Sequence, residues 1–119
     1  MPNMLLIEDD ESNRITLSAL LEDEGFVVTE AVSCATARAC IAAPDAIFDL
    51  VLTDLHLGDG LGTDLMPAVR QRFPRAKIVL ISGSARPEDM PSGMDALVPK
   101  GTEFSATLKV LRELLTGGA

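Results

Sequence analysis

The chain has 119 residues, 47% of them hydrophobic, and a formal net charge of −8. That length suits one domain over residues 1–119, and the apolar share supplies a core. The acidity disfavours direct binding to nucleic-acid phosphates. No apolar run approaches the roughly 20 residues of a membrane span, and the start MPNMLLIEDD lacks the basic region of a secretion signal, so a cytoplasmic protein is expected. Cys34 and Cys40 are six apart, which fits neither a redox pair nor a zinc spacing, and they are read as half-buried free thiols.

The elements follow in chain order. NMLLIE (residues 3–8) is a short apolar run stopped by acids, and reads as a buried strand. A helix follows through SNRITLSALLEDEG, capped by Asp10 or Ser12 and ended by Gly25. FVVTEA (26–31) is β-branched and short, hence a strand. SCATARACIAA (33–43) is rich in alanine and therefore helical up to Pro44. FDLVLTD (48–54) is the clearest strand of all and ends abruptly in Asp54.

GTDLMPAVRQRF (62–73) places Leu65, Val69 and Phe73 on one helical face, with Pro67 tolerable only in a first turn. AKIVLIS (76–82) is another apolar strand. GSARPEDMPSG (83–93) holds two prolines and offers one or two helical turns at most. DALVP (95–99) is a short strand whose Pro99 suggests a sheet edge. TEFSATLKVLRELL (102–115) is amphipathic, with Phe104, Leu108, Leu111 and Leu115 on one side and Thr102 as its expected cap.

The pattern is a βα unit repeated five times. Continuous apolar strands alternating with helices predict a doubly wound α/β fold around a five-stranded parallel sheet. Sites in such sheets lie beyond the carboxyl ends of the strands. Those ends carry Glu8, Asp9 and Asp10 after the first strand and Asp54 after the third. Ser82 and Gly83 follow the fourth, and Lys100 the fifth.

Carboxylates gathered on one rim repel one another, by roughly 4 kcal/mol at ~4 Å and an effective dielectric near 20. A hard divalent cation such as Mg²⁺ and the Lys100 ammonium would offset this. Asp54 beside such charges could attack phosphorus and become an acyl phosphate. Each residue alone has a plainer reading. The three acids could form a solvated turn and helix cap, Asp54 a turn, and Lys100 a surface charge.

The constellation resembles the receiver domain of bacterial two-component response regulators. IEDDESNR looks like that family's acidic turn, VLTDLHLGDGLGTDLM like its phosphoacceptor strand and loop, VLISGSA like its hydroxyl-bearing strand, and ALVPKG like its lysine segment. The resemblance implies a flavodoxin-like sheet of strand order 2-1-3-4-5. It implies Asp54 as phosphoacceptor, with Ser82 and Lys100 on the phosphoryl group. Glu8, Asp9, Asp54 and the backbone carbonyl of His56 would hold Mg²⁺, and Asp10 would cap a helix.

It also implies a sensor histidine kinase or histidine phosphotransfer protein as donor, an unspecified downstream protein, a monomer or weak dimer, and a signalling role rather than an enzymatic one. His56, the only histidine, is expected to lean over the pocket and tune access of water.

Three features depart from the family pattern. Gly101 follows the lysine where proline, with a cis peptide, is usual, which leaves the shape of that loop open. Leu97 stands where an aromatic ring often swings inward on phosphorylation, so the loop after Ser82 is expected to carry most of the switch. The stretch 83–93 is short for the fourth helix, which is expected to be reduced or irregular.

Two other classes compete. One is a receiver-like interaction module that is never phosphorylated. The other is a Mg²⁺-dependent phosphatase with an aspartyl nucleophile, which would want that residue on the first strand and a second acid two positions on, where His56 stands. A P-loop enzyme is excluded, because no G-x-x-x-x-G-K-[ST] occurs.

Overall fold

The computed structural model describes residues 1–83 and 93–116. In chain order its elements are β1 (Asn3–Ile7), α1 (Glu11–Asp23), β2 (Val27–Ala31), α2 (Cys34–Ala42), β3 (Leu50–Asp54), the short strands β4 (His56–Leu57) and β5 (Gly60–Leu61), a 3₁₀ turn (Gly62–Leu65), α3 (Met66–Arg72), β6 (Lys77–Ser82), β7 (Ala96–Pro99) and α4 (Phe104–Leu115). The main sheet is fully parallel, in the order β2-β1-β3-β6-β7. This is the expected 2-1-3-4-5 arrangement, with the β4/β5 hairpin set apart as a separate antiparallel pair. Pro99 lies, as expected, on an edge strand.

The central strands are apolar throughout because both faces are covered. Leu5, Ile7, Val51, Ile78 and Leu80 pack with Ala37 and Ile41 of α2 and with Met66 and Val69 of α3. The alternate residues Met4, Leu6, Leu50, Leu52 and Val79 face Leu21 of α1 and Leu111 of α4. Burying each such side chain contributes about 1.5–3 kcal/mol, which is what holds the strand ends in place for the site. All five residues of β3 are buried. The edge strand β2 leaves Val27 46% exposed and becomes buried only at Ala31.

Helix ends follow local chemistry. Asp10, not Ser12, caps α1, its Oδ1 accepting the Asn13 N–H at 2.8 Å. Gly25 ends that helix at φ +97°, a conformation open to glycine. Pro67 occupies the first turn of α3, where its missing N–H costs nothing. Phe104, Leu108, Leu111 and Leu115 of α4 all pack into the second core cluster.

Thr102 is not the cap of α4. Its hydroxyl donates back to the Pro99 carbonyl at 2.6 Å, so the cap position falls to Glu103, which makes no side-chain capping bond. The cause is the turn over residues 99–102, closed by the Thr102 N–H on the Pro99 carbonyl at 3.2 Å, with Gly101 at φ +88°. A left-handed third residue is the glycine position of a type II turn, and proline cannot occupy it. The expected fourth helix falls on residues 84–92, outside those described.

Candidate functional site

Each strand end delivers its residue to one rim. Asp54 is the last residue of β3 and is 5% exposed, Ser82 is the last of β6 at 2%, and Glu8 directly follows β1 at 7%. Lys100 directly follows β7. Asp9 is exposed. Carboxylate oxygens of Glu8, Asp9 and Asp54 lie within 4.8 Å of one another. Lys100 Nζ stands 2.9 Å from Asp54 Oδ2.

Above them opens a cleft of about 610 Å³ lined by Asp9, Asp10, Asn13, Asp54, His56, Gly83 and Lys100. Glu8 and Ser82 are buried and do not form part of its wall. The exposed His56 does.

The charges respond to this crowding. Burial, a hydrogen bond with Asp54 and the charge of Asp54 push the Glu8 carboxyl up from 4.5 to about 7, against the smaller opposing effects of the Asp10 amide and Lys100. The hydrogen bond to Asp54 raises Lys100 above its ordinary value, with the charges of Asp54, Glu8 and Asp9 acting in the same sense. An acid held half-protonated near neutrality, beside two further carboxylates, is a site short of positive charge. Three close carboxylates suit a hard cation of the Mg²⁺ kind, which takes oxygen donors.

The loop after Asp54 is tightly constrained. The Leu55 N–H donates to the Ile81 carbonyl at 3.1 Å, and the Gly62 N–H to the Leu55 carbonyl at 2.7 Å. A Cβ at Gly62 would collide with the Asp54 carbonyl oxygen and lie 2.5 Å from Thr53 Oγ1, so this loop needs glycine there. Gly83 packs beside Lys100, where an added Cβ would meet the lysine stem only at 3.7 Å. The acidic turn is braced from below. Arg14 donates to the Glu8 carbonyl at 3.2 Å and pairs with Glu30 at 3.2 Å, while Ser18 donates to the other Glu30 oxygen at 3.3 Å.

Comparison with known proteins meets this geometry. The response regulator receiver domain family matches residues 4–111. The chain belongs to that family. It is 34% identical over 82 residues to the photosynthetic apparatus regulatory protein RegA of Rhodovulum sulfidophilum, covering 69% of this chain and 44% of that one. Among solved structures it is similar to the non-phosphorylated HemR receiver domain of Leptospira biflexa, with a TM-score of 0.86, 28% identity and 98% and 95% of the two chains covered. A CheY-like receiver domain protein of Methanospirillum hungatei is also similar, with a TM-score of 0.88, 26% identity and the same coverage.

This receiver domain is therefore a two-component signalling domain with a CheY-like, flavodoxin-like fold. The chain spans less than half the length of the RegA relatives it matches. No helix among the described residues is long and apolar enough to cross a membrane.

All of the expected strand-end residues meet at one rim. Arg14, Asn13 and Asp59 were not singled out from the sequence. Arg14 and Asn13 lie at helical positions that read as surface, and Asp59 sits in a loop already rich in glycine and acid.

Proposed function

We propose that this receiver domain accepts a phosphoryl group on Asp54, in a Mg²⁺-dependent manner, from the phosphohistidine of a sensor histidine kinase or histidine phosphotransfer protein. The observation that carries this reading is the Lys100 ammonium 2.9 Å from an Asp54 oxygen, in a group where carboxylate oxygens of Asp54, Glu8 and Asp9 lie within 4.8 Å of one another. In the transfer an Asp54 carboxylate oxygen bonds to phosphorus as the donor's N–P bond breaks. The electron pair returns to the imidazole nitrogen.

Glu8, Asp9, Asp54 and the His56 carbonyl would hold Mg²⁺, which supplies neutralisation of the phosphoryl oxygens. Lys100 holds the acceptor carboxylate and then turns to a phosphoryl oxygen. Ser82, buried at the end of β6, offers a hydroxyl from the same rim. Lys100 and Ser82 stand at the ends of adjacent strands, with the Lys100 N–H donating to the Ser82 carbonyl at 3.0 Å, so their backbones are tied together. The signal then passes to a downstream protein through the β6–β7 side. The expectation that the loop after Ser82 moves most rests largely on residues 84–92, outside those described.

Incubation with a small phosphodonor and Mg²⁺, followed by intact mass, tests this. One phosphoryl adduct that is lost in Asp54→Asn and in chelator is expected. An unmodified wild-type chain would leave the unphosphorylated interaction module as the better reading, and turnover of phosphomonoesters would favour the phosphatase.

A further inference from the structure

The loop that carries His56 is anchored in the core by Leu57, with Leu55 packed beside it, but has few backbone hydrogen bonds of its own. It is a hairpin of two residues per strand, pairing His56 with Leu61 and Leu57 with Gly60. An isolated ladder this short is not self-sustaining. Its base is tied to β3 and β6 through Leu55. Its tip is tied elsewhere, because Asp59 reaches across to α2. Asp59 Oδ1 accepts the Cys34 N–H at 2.8 Å and Oδ2 accepts the Ala35 N–H at 3.0 Å. The Cys34 thiol adds a weak donor contact to the Leu61 carbonyl at 3.6 Å.

The start of α2 is in turn fixed to the acidic turn, since the Glu8 N–H donates to the Ala31 carbonyl, three residues before Cys34, at 3.0 Å. A closed circuit results, running from Glu8 through Ala31 and the first amides of α2 to Asp59, His56 and Asp54. Helix α2 does not depend on Asp59 for its cap, since Ser33 Oγ already accepts the Thr36 N–H at 3.0 Å.

We infer that Asp59 is a positioning residue for the cation pocket. By gripping the first two amides of α2, its carboxylate sets the distance between the His56 carbonyl and the Glu8–Asp9 turn. Those amides also hold the Asp59 carboxyl below its ordinary value, so the grip persists in acid well below neutrality. The inference rests on the phosphoacceptor reading above.

The test is a calorimetric Mg²⁺ titration of wild type, Asp59→Ala, Asp59→Asn and Ser33→Ala, with amide exchange followed across residues 55–61. Asp59→Ala should weaken Mg²⁺ binding by about 10-fold, the scale of a lost supporting contact behind a metal ligand, and should speed exchange across 55–61. Asp59→Asn keeps one acceptor oxygen and should fall between Asp59→Ala and wild type. Ser33→Ala loosens the same helix end but should bind Mg²⁺ as wild type does.

Wild-type affinity in Asp59→Ala overturns the inference, and so does equal weakening in Ser33→Ala, which would reduce Asp59 to a helix cap. If Asp59→Ala does not fold, Asp59→Asn carries the same comparison. A wild-type chain that neither binds Mg²⁺ nor takes a phosphoryl group overturns the functional reading and this inference together. A chain that does both while Asp59→Ala is unaltered overturns the inference alone.

Discussion

Lys100 reaches Asp54 across an intervening strand. β3 and β7 do not touch, since each pairs with β6 from opposite sides, yet Nζ and Oδ2 are 2.9 Å apart. The lysine thus spans the end of β6 at Ser82. Its side chain is 43% exposed while that of Asp54 is 7% exposed, so solvent screens the cation more than the anion. Lys100→Met keeps most of the stem and removes the charge. It should lower stability in chelator by about 1 kcal/mol, through unbalanced repulsion among the carboxylates. Added Mg²⁺ should restore most of that loss in urea unfolding.

Glu8 gives the metal-free protein a pH dependence of definite sign. Its carboxyl rises from 4.5 to about 7 on folding, so the folded state binds the proton more tightly. Stability present below pH 4.5 is therefore lost as pH climbs to about 7, by ~1–3 kcal/mol, and is level above that. Lys100 acts only at the alkaline end, where its raised value adds stability that disappears as pH passes 10.5. Denaturant curves in chelator across this range should show the fall in wild type and its absence in Glu8→Gln.

Gly62 is the tightest backbone passage near the acceptor. Gly62→Ala forces a methyl group against the Asp54 carbonyl and Thr53. A loss of about 3 kcal/mol in denaturant unfolding is expected, at the upper end of overpacking costs. Gly58→Ala in the same loop, where an added Cβ meets nothing within 4 Å, should change stability little.

His56 is exposed on the cleft wall. Its side chain is expected to govern access of hydrolytic water to phosphorylated Asp54. His56→Ala should shift the phosphoryl lifetime several-fold, read by intact mass against time, without abolishing the adduct. An unchanged lifetime removes the side chain from the chemistry.

The sheet was legible because burial on both faces leaves an unbroken apolar run, as in LVLTD, and because each run stops at the residue the rim needs. Local rules also placed Gly25 and Pro67 correctly and narrowed the α1 cap to Asp10 or Ser12, since cap and turn chemistry is decided within a few residues. They failed at Thr102, where the turn through Gly101 sends the hydroxyl backward. Asp59 and Arg14 were invisible for another reason. Their partners lie 25 positions away at Cys34 and 16 away at Glu30, and no local periodicity records such pairs.

Asp54 ends the innermost strand, flanked by β1 on one side and β6 on the other and covered above and below. That placement leaves the Asp54 end of the strand paired on both sides and buried on both faces. On the phosphoacceptor reading, a charge added there would be handed sideways, toward the periphery that Lys100 and Gly101 occupy. The β2–β1 half would then serve as the reference against which a displacement of the β6–β7 half is read.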